Sequence, residues 1–153
     1  MSAEYIPFDR ESAQEYVLQV DVEQPTAPDG VTQVRVEGTG AFEARQYRAT
    51  VEVPSREPQR PASDGERVSG RISPEEVSRL MDQASLAPWG TRFPQRPGIP
   101  DEAIVVISLQ RARRESASVK MWLRDAEKDQ AVGPLLEQLR EHLNELGGGK
   151  IYL

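Results

Sequence analysis

Tyr16, Leu18, Val20 and Val22 recur at every second position, with Val17, Gln19, Asp21 and Glu23 between them. A period of two places successive side chains on opposite faces of an extended chain, which is the pattern of a half-buried strand. The same period returns at Thr32, Val34 and Val36, and again in two runs near residues 103–110 and 116–123. A chain that repeats it must fold around a sheet, and a sheet with one apolar face needs a second layer to cover it.

The cover is written later in the chain. Ser73-Pro74-Glu75-Glu76 has the form of a capping box: the Ser73 hydroxyl accepts from the amide three residues on, Glu76 reaches back, and Pro74 suits the first helical position. Val77, Leu80, Met81 and Ala84 then follow at helical spacing, and the helix is expected to end near Leu86, before Pro88. A second stripe, Val132, Leu135, Leu136, Leu139, Leu143 and Leu146, predicts a closing helix over about 131–146, with Gly147 placed as its C-cap. Both stripes read as core.

Between these landmarks, Gln24 to Gly30 breaks the first strand with two prolines and an Asp-Gly turn, and Gly38-Thr39-Gly40 closes a tight hairpin. The return strand is expected from Ala41 to about Val53. Its apolar parity changes from Phe42 and Ala44 to Tyr47, Ala49, Val51 and Val53, which predicts a bulge or break at Arg45-Gln46. Residues 54–66, with three prolines, read as a mobile loop inside one domain, and 67–72 as a short strand. The expected fold is α+β: a mainly antiparallel sheet of five or six strands with two amphipathic helices on one face, in the order β-β-β-β-α-β-β-α. One domain over 15–146 is flanked by an arm, 1–14, and a tail, 147–153. The arm either tucks Tyr5, Ile6 and Phe8 against the body or stays mobile.

The chain has 153 residues, no cysteine and one histidine, His142. No thiol nucleophile, thiolate site or His-rich metal centre can be built from that inventory. His142 falls at the border of the leucine stripe and in the expected last turn, where an imidazolium favours the helix C-terminus, so it reads as structural. Asp101-Glu102 is the one carboxylate pair placed for acid–base work, although adjacent acids at a strand start are usually solvated. There is no G-x-S-x-G elbow and no phosphate loop. No secretory leader is read at the start, and the longest apolar run, 103–107, is too short to cross a bilayer. The protein is therefore expected to be cytoplasmic.

The net charge of −6 disfavours nucleic acid or an anionic membrane as partner. Its distribution is uneven. Residues 87–120 hold Arg92, Arg96, Arg111, Arg113, Arg114 and Lys120 against Asp101, Glu102 and Glu115, a local net of +3 on a body that otherwise carries −9. This zone reads either as a steering patch for an acidic partner or as a solvated hairpin tip. The last hairpin has two partly apolar faces. Val105, Ile107 and Leu109 lie on one, with Ala117, Val119, Met121 and Leu123 of the partner strand. Ile104, Val106 and Trp122 lie on the other, beside Ser108, Ser118 and Lys120. Both faces need covering, either from the arm or the 87–102 loop, or from a partner or a second copy.

From Ser69 onward the order of features is similar to that of small bacterial α+β domains that include the emfourin-type inhibitors of thermolysin-like metalloproteases. The likeness is carried by Gly70-Arg71-Ile72-Ser73-Pro74-Glu75-Glu76 opening a helix with Leu80, then an aromatic, proline-bearing loop, Gly98-Ile99-Pro100-Asp101, a hairpin, and Pro134-Leu135 in a closing helix. It implies a binding protein and transfers no individual inhibitory residue. The sequence thus reads as a non-catalytic protein-interaction module of the bacterial cytoplasm, needing no cofactor or metal and binding a protein partner or itself. Trp89, Arg92, Phe93, Arg111, Arg113, Arg114 and Trp122 form its candidate surface, since aromatic and Arg side chains most often anchor interfaces. The alternatives are a metalloprotease inhibitor and an enzyme using Asp101 and Glu102.

Overall fold

The computed structural model describes residues 8–23, 30–47, 64–89, 103–112 and 115–147. In chain order these form β1 (Tyr16–Glu23), β2 (Val31–Glu37), β3 (Ala41–Tyr47), β4 (Asp64–Arg71), α1 (Pro74–Ser85), β5 (Ile104–Arg111), β6 (Glu115–Trp122), α2 (Leu123–Lys128) and α3 (Val132–Gly147), after a 3-10 segment at Arg10–Glu15. The six strands make one sheet, β4-β3-β2-β1-β5-β6, in which every neighbouring pair is antiparallel. This is the α+β arrangement that the alternating segments and the two stripes predict, with a short third helix, α2, added.

The register explains why one face is apolar. Val68, Ala44, Val34, Val20, Ile107 and Val119 stand opposite one another in a row across all six strands. Beside it runs a second row of Phe42, Val36, Leu18, Leu109 and Ala117, opposite Gly70 on β4. Every apolar residue of both rows is buried. The stripes of α1 (Val77, Leu80, Met81, Ala84) and α3 (Val132, Leu135, Leu136, Leu139, Leu143), with Ala126 of α2, close over them in a single core. Thr32 is the one buried polar residue among those described, and its hydroxyl accepts from Gln46 Nε2 at 3.2 Å.

The helices α1 and α3 run antiparallel. Gln83 Nε2 donates to the Ala131 carbonyl at 2.8 Å at one end, and Glu76 faces His142 at the other. The N-terminus of α3 is held by Asp129, whose Oδ1 accepts from the Ala131 and Val132 amides, both at 2.9 Å. A carboxylate there satisfies two otherwise orphaned donors and suits the positive end of the helix.

Several expectations are corrected. The strand after the 54–66 loop begins at Asp64 and ends at Arg71, not at 67 and 72. Leu123 belongs to α2 and not to β6: its amide still bonds the Ala103 carbonyl at 2.8 Å, but the chain turns into a helix there. The capping box forms by half: the Glu76 amide donates to Ser73 Oγ at 3.2 Å, while the Glu76 carboxylate turns to His142. Gly147 is the last residue of α3 and does not adopt a left-handed cap. Its role is close approach, since a Cβ there would lie 2.7 Å from Val68 Cγ2. Gly70 likewise leaves room for Leu146, which sits 37% exposed at the edge of the stripe. The irregularity expected at Arg45-Gln46 is present. The β3–β4 register shifts between Arg45 and Tyr47, while β3 stays in step with β2 through Tyr47. Of the expected tail 147–153, Gly147 belongs to α3, and residues 148–153, like residues 48–53 of the expected long return strand, lie outside the described residues.

The arm is more structured than its lack of periodicity predicts. Asp9 caps the 3-10 segment, with Oδ1 accepting from the Glu11 amide at 3.1 Å. The Asp9 amide donates to the Tyr16 hydroxyl at 3.0 Å, and Phe8 meets the Tyr16 ring edge-on at 5.0 Å. Phe8 therefore packs on the core; Tyr5 and Ile6 lie outside the described residues.

Candidate functional site: the open face of the sheet

Of the surface expected from the sequence, only Trp89, Arg111 and Trp122 are among the described residues, and Trp89 is not part of it. Trp89 is 8% exposed and belongs to the core, so it is not a surface anchor. Its amide bonds the Ala87 carbonyl at 2.8 Å, a tight turn after α1 that folds the indole inward. Arg111 is engaged within the chain: Nε donates to Glu15 Oε2 at 3.0 Å, Nη2 lies 3.9 Å from Asp9 Oδ2, and the guanidinium sits over the Tyr16 ring at 5.4 Å. It pins the 3-10 segment to the sheet end. Trp122 is half-buried on β6, directly opposite Ile104. Arg92, Phe93, Arg113 and Arg114 lie outside the described residues, as do Asp101 and Glu102.

His142 also has a structural position. Its Nδ1 lies 3.6 Å from Glu76 Oε2, its ring centroid is 6.0 Å from that of Phe42, and its side chain is 13% exposed. The expectation that it caps the helix end is corrected, because α3 runs to Gly147 and has no basic residue in its last turn. The imidazole instead joins α3 to α1 and to the sheet. One turn earlier, Gln138 Oε1 is buried without a hydrogen-bond partner. A buried carbonyl without a donor costs about 1–3 kcal/mol. Gln138→Met should therefore raise stability by about 1 kcal/mol in urea denaturation, and a loss of stability would show that the amide has a partner in solution.

All three helices close over the same face of the sheet, and among the described residues no element packs on the other. That other face has two halves of different chemistry. Over β2, β3 and β4 it is mostly charged, with Arg35, Glu37, Glu43, Arg45, Arg67 and Arg71. Over β1, β5 and β6 it carries Val17, Ile104, Val106 and Trp122 with Gln19, Ser108, Gln110, Ser116 and Ser118, and only Asp21, Glu23 and Lys120 are charged. Asp21 Oδ2 accepts from Gln19 Nε2 at 3.3 Å, while its Oδ1 is shut from solvent without a partner.

Along the second half lies a groove of about 320 Å³, lined by Val17, Gln19, Arg35, Ser108, Gln110, Ser116 and Ser118 together with the backbone of Leu109 and Ala117. The register builds it. Arg35, Gln19, Ser108 and Ser118 form one row across four strands, and Val17, Gln110 and Ser116 lie in the next. Short serine side chains set opposite one another, between longer Gln and Arg side chains, leave the depression. The sequence held part of this signal, in the small outward residues Ser108 and Ser118, but not the pairing that brings them beside Gln19 and Arg35.

No family model and no curated protein matches this chain. Its own geometry carries the functional argument. Among the described residues no three His, Asp or Glu side chains come together as a metal site, and no helix is long and apolar enough to cross a membrane.

Proposed function

We propose that the protein is a non-catalytic interaction module that docks a protein, either a partner or a second copy, on the β1–β5–β6 half of its open sheet face. The observation that carries this reading is the asymmetry of the sheet. One face is closed by three helices, whereas the other holds a half-buried apolar and hydroxyl surface poor in charge. A face that only meets water is normally dressed in charged side chains, as the β2–β3–β4 half is. Depletion of charge beside an aromatic residue is the composition of an interface centre. The use of the chain's single imidazole between α1 and α3 supports a non-catalytic role.

The reading is tested by photo-crosslinking in native cells from p-benzoylphenylalanine placed at Ser118, with the exposed outer position Arg79 on α1 as control. A discrete protein adduct is expected from position 118 and none from 79. An adduct at twice the chain mass identifies a second copy. Equal adducts at both positions, or none at 118, overturn the reading.

A further inference from the structure

We infer that the groove on the open face is a small-molecule site for a polyhydroxylated carboxylate of the sugar-acid type. This goes beyond protein docking but rests on the same face being free to bind. Five observations lead to it. The groove's volume, about 320 Å³, falls at the lower end of small-molecule pockets, which begin near ~300 Å³. The one charge among its described lining residues is positive, on a chain of net −6.

That charge is available. Arg35 Nε lies 3.7 Å from Glu37 Oε1, with its side chain 49% exposed, and its two terminal nitrogens have no partner among the described residues. A guanidinium so placed presents the fork that binds a carboxylate through two parallel hydrogen bonds. The remaining lining groups are neutral. Ser108, Ser116 and Ser118 each offer a hydroxyl that both donates and accepts, and Gln110 offers an amide. Gln19, its nitrogen donating to Asp21, also lines the groove and has a carbonyl oxygen that can accept. An even mixture of neutral donors and acceptors matches C–OH groups, which also do both.

The spacing fits one ligand. Neighbouring strands lie about 4.8 Å apart, so the row from Arg35 through Gln19 and Ser108 to Ser118 extends roughly 14 Å between its end Cα atoms. An Arg35 side chain turned along the row would bring its fork to about the length of a six-carbon chain from the serine pair. A carboxylate at Arg35 would lay the hydroxyl-bearing chain along Gln19, Ser108 and Ser118, with Val17 in the adjacent row.

Amide chemical-shift mapping with sodium gluconate, glucose and sodium acetate tests the assignment. Gluconate is expected to shift the amides of Gln19, Arg35, Ser108 and Ser118 saturably, and to bind about tenfold tighter than glucose or acetate, the scale of one charge-assisted hydrogen bond. Arg35→Gln should bring gluconate down to the glucose level. The double variant Ser108→Val, Ser118→Val should bring it down to the acetate level; both changes keep strand-forming residues, and the spectrum itself reports whether the fold persists. The inference is overturned if tens of millimolar gluconate leaves those four amides unmoved, or if Arg35→Gln binds gluconate as well as the parent chain. Crosslinking from Ser118 reads a protein and the spectra read a small molecule, so failure of one is distinguishable from failure of the other.

Discussion

Phe42→Ala is expected to lower the unfolding free energy by about 3–5 kcal/mol, the cost of deleting a buried aromatic ring from a core that cannot fully collapse. Phe42 is 1% exposed, near the start of β3, with Val36 opposite it on β2 and Gly70 on β4. Gly70 has no side chain to move into the space, and its own gap is already filled by Leu146 of α3. The ring also underlies His142, so its loss loosens the contact of α3 with the sheet. Since natural domains are stable by only about 5–15 kcal/mol, this single change removes a large share of the total. Denaturant titration should show the midpoint falling with an unchanged slope. Phe42→Leu, which keeps most of the volume, should cost less than about 1.5 kcal/mol. A loss below 1 kcal/mol for the alanine variant would mean that the ring is not packed as described.

The second large effect is expected at Gly38. A Cβ on this residue would land on the carbonyl oxygen of Ala13, a backbone atom of the 3-10 segment. The close approach is anchored by the Gly38 amide, which donates to the Tyr16 carbonyl at 2.8 Å. Alanine at 38 must therefore push the 3-10 segment away from the hairpin, at a cost of about 1–3 kcal/mol or more. The displacement should spread to the contacts that this segment makes elsewhere. The Ala112 amide bonds the Glu15 carbonyl and the Asp9 amide bonds the Tyr16 hydroxyl. Both amides should lose protection from hydrogen exchange in Gly38→Ala and keep it in Thr39→Ala, an exposed turn substitution expected to stay within about 0.5 kcal/mol of the parent. Unchanged protection at Ala112 in Gly38→Ala would refute the close packing of hairpin and 3-10 segment.

Elements with strong periodicity were legible because burial repeats at their own period. Tyr16, Leu18, Val20 and Val22 are all buried and Val17, Gln19 and Asp21 are not, as strict alternation requires. Val77, Leu80, Met81 and Ala84 are the buried residues of α1, and the parity change in β3 marks a real register shift. The helix α2 was not legible, because six residues with Ala126 as the only buried one show no stripe. The 3-10 segment was missed for the same reason: its position comes from Tyr16, Gly38 and Arg111, which are distant in sequence or lie on other elements.

Two members of the candidate surface, Trp89 and Arg111, were misread through residue type. Tryptophan and arginine are enriched at interfaces, but a tryptophan four residues beyond a helix packed on the core has that core within reach, and Trp89 takes it. Arg111 lies at the sheet end where β1 begins, beside two carboxylates that are distant in sequence, and it pairs with them. The groove was hidden for the complementary reason. Ser108 and Ser118 are unremarkable as letters, and Gln19 and Arg35 lie on strands far from them in the chain.

The sequence by itself determined the local periods, the start of α1, the apolar side of each strand and the class of fold, because these follow from spacing along one segment. Tertiary structure alone decided which strands are neighbours. That choice inserts β1 between β2 and β5, joins Arg35 to Ser118 across four strands, buries Trp89 and, among the described residues, leaves one face of the sheet without a helix. Pairing is a property of two segments at once, so no window of a single chain contains it.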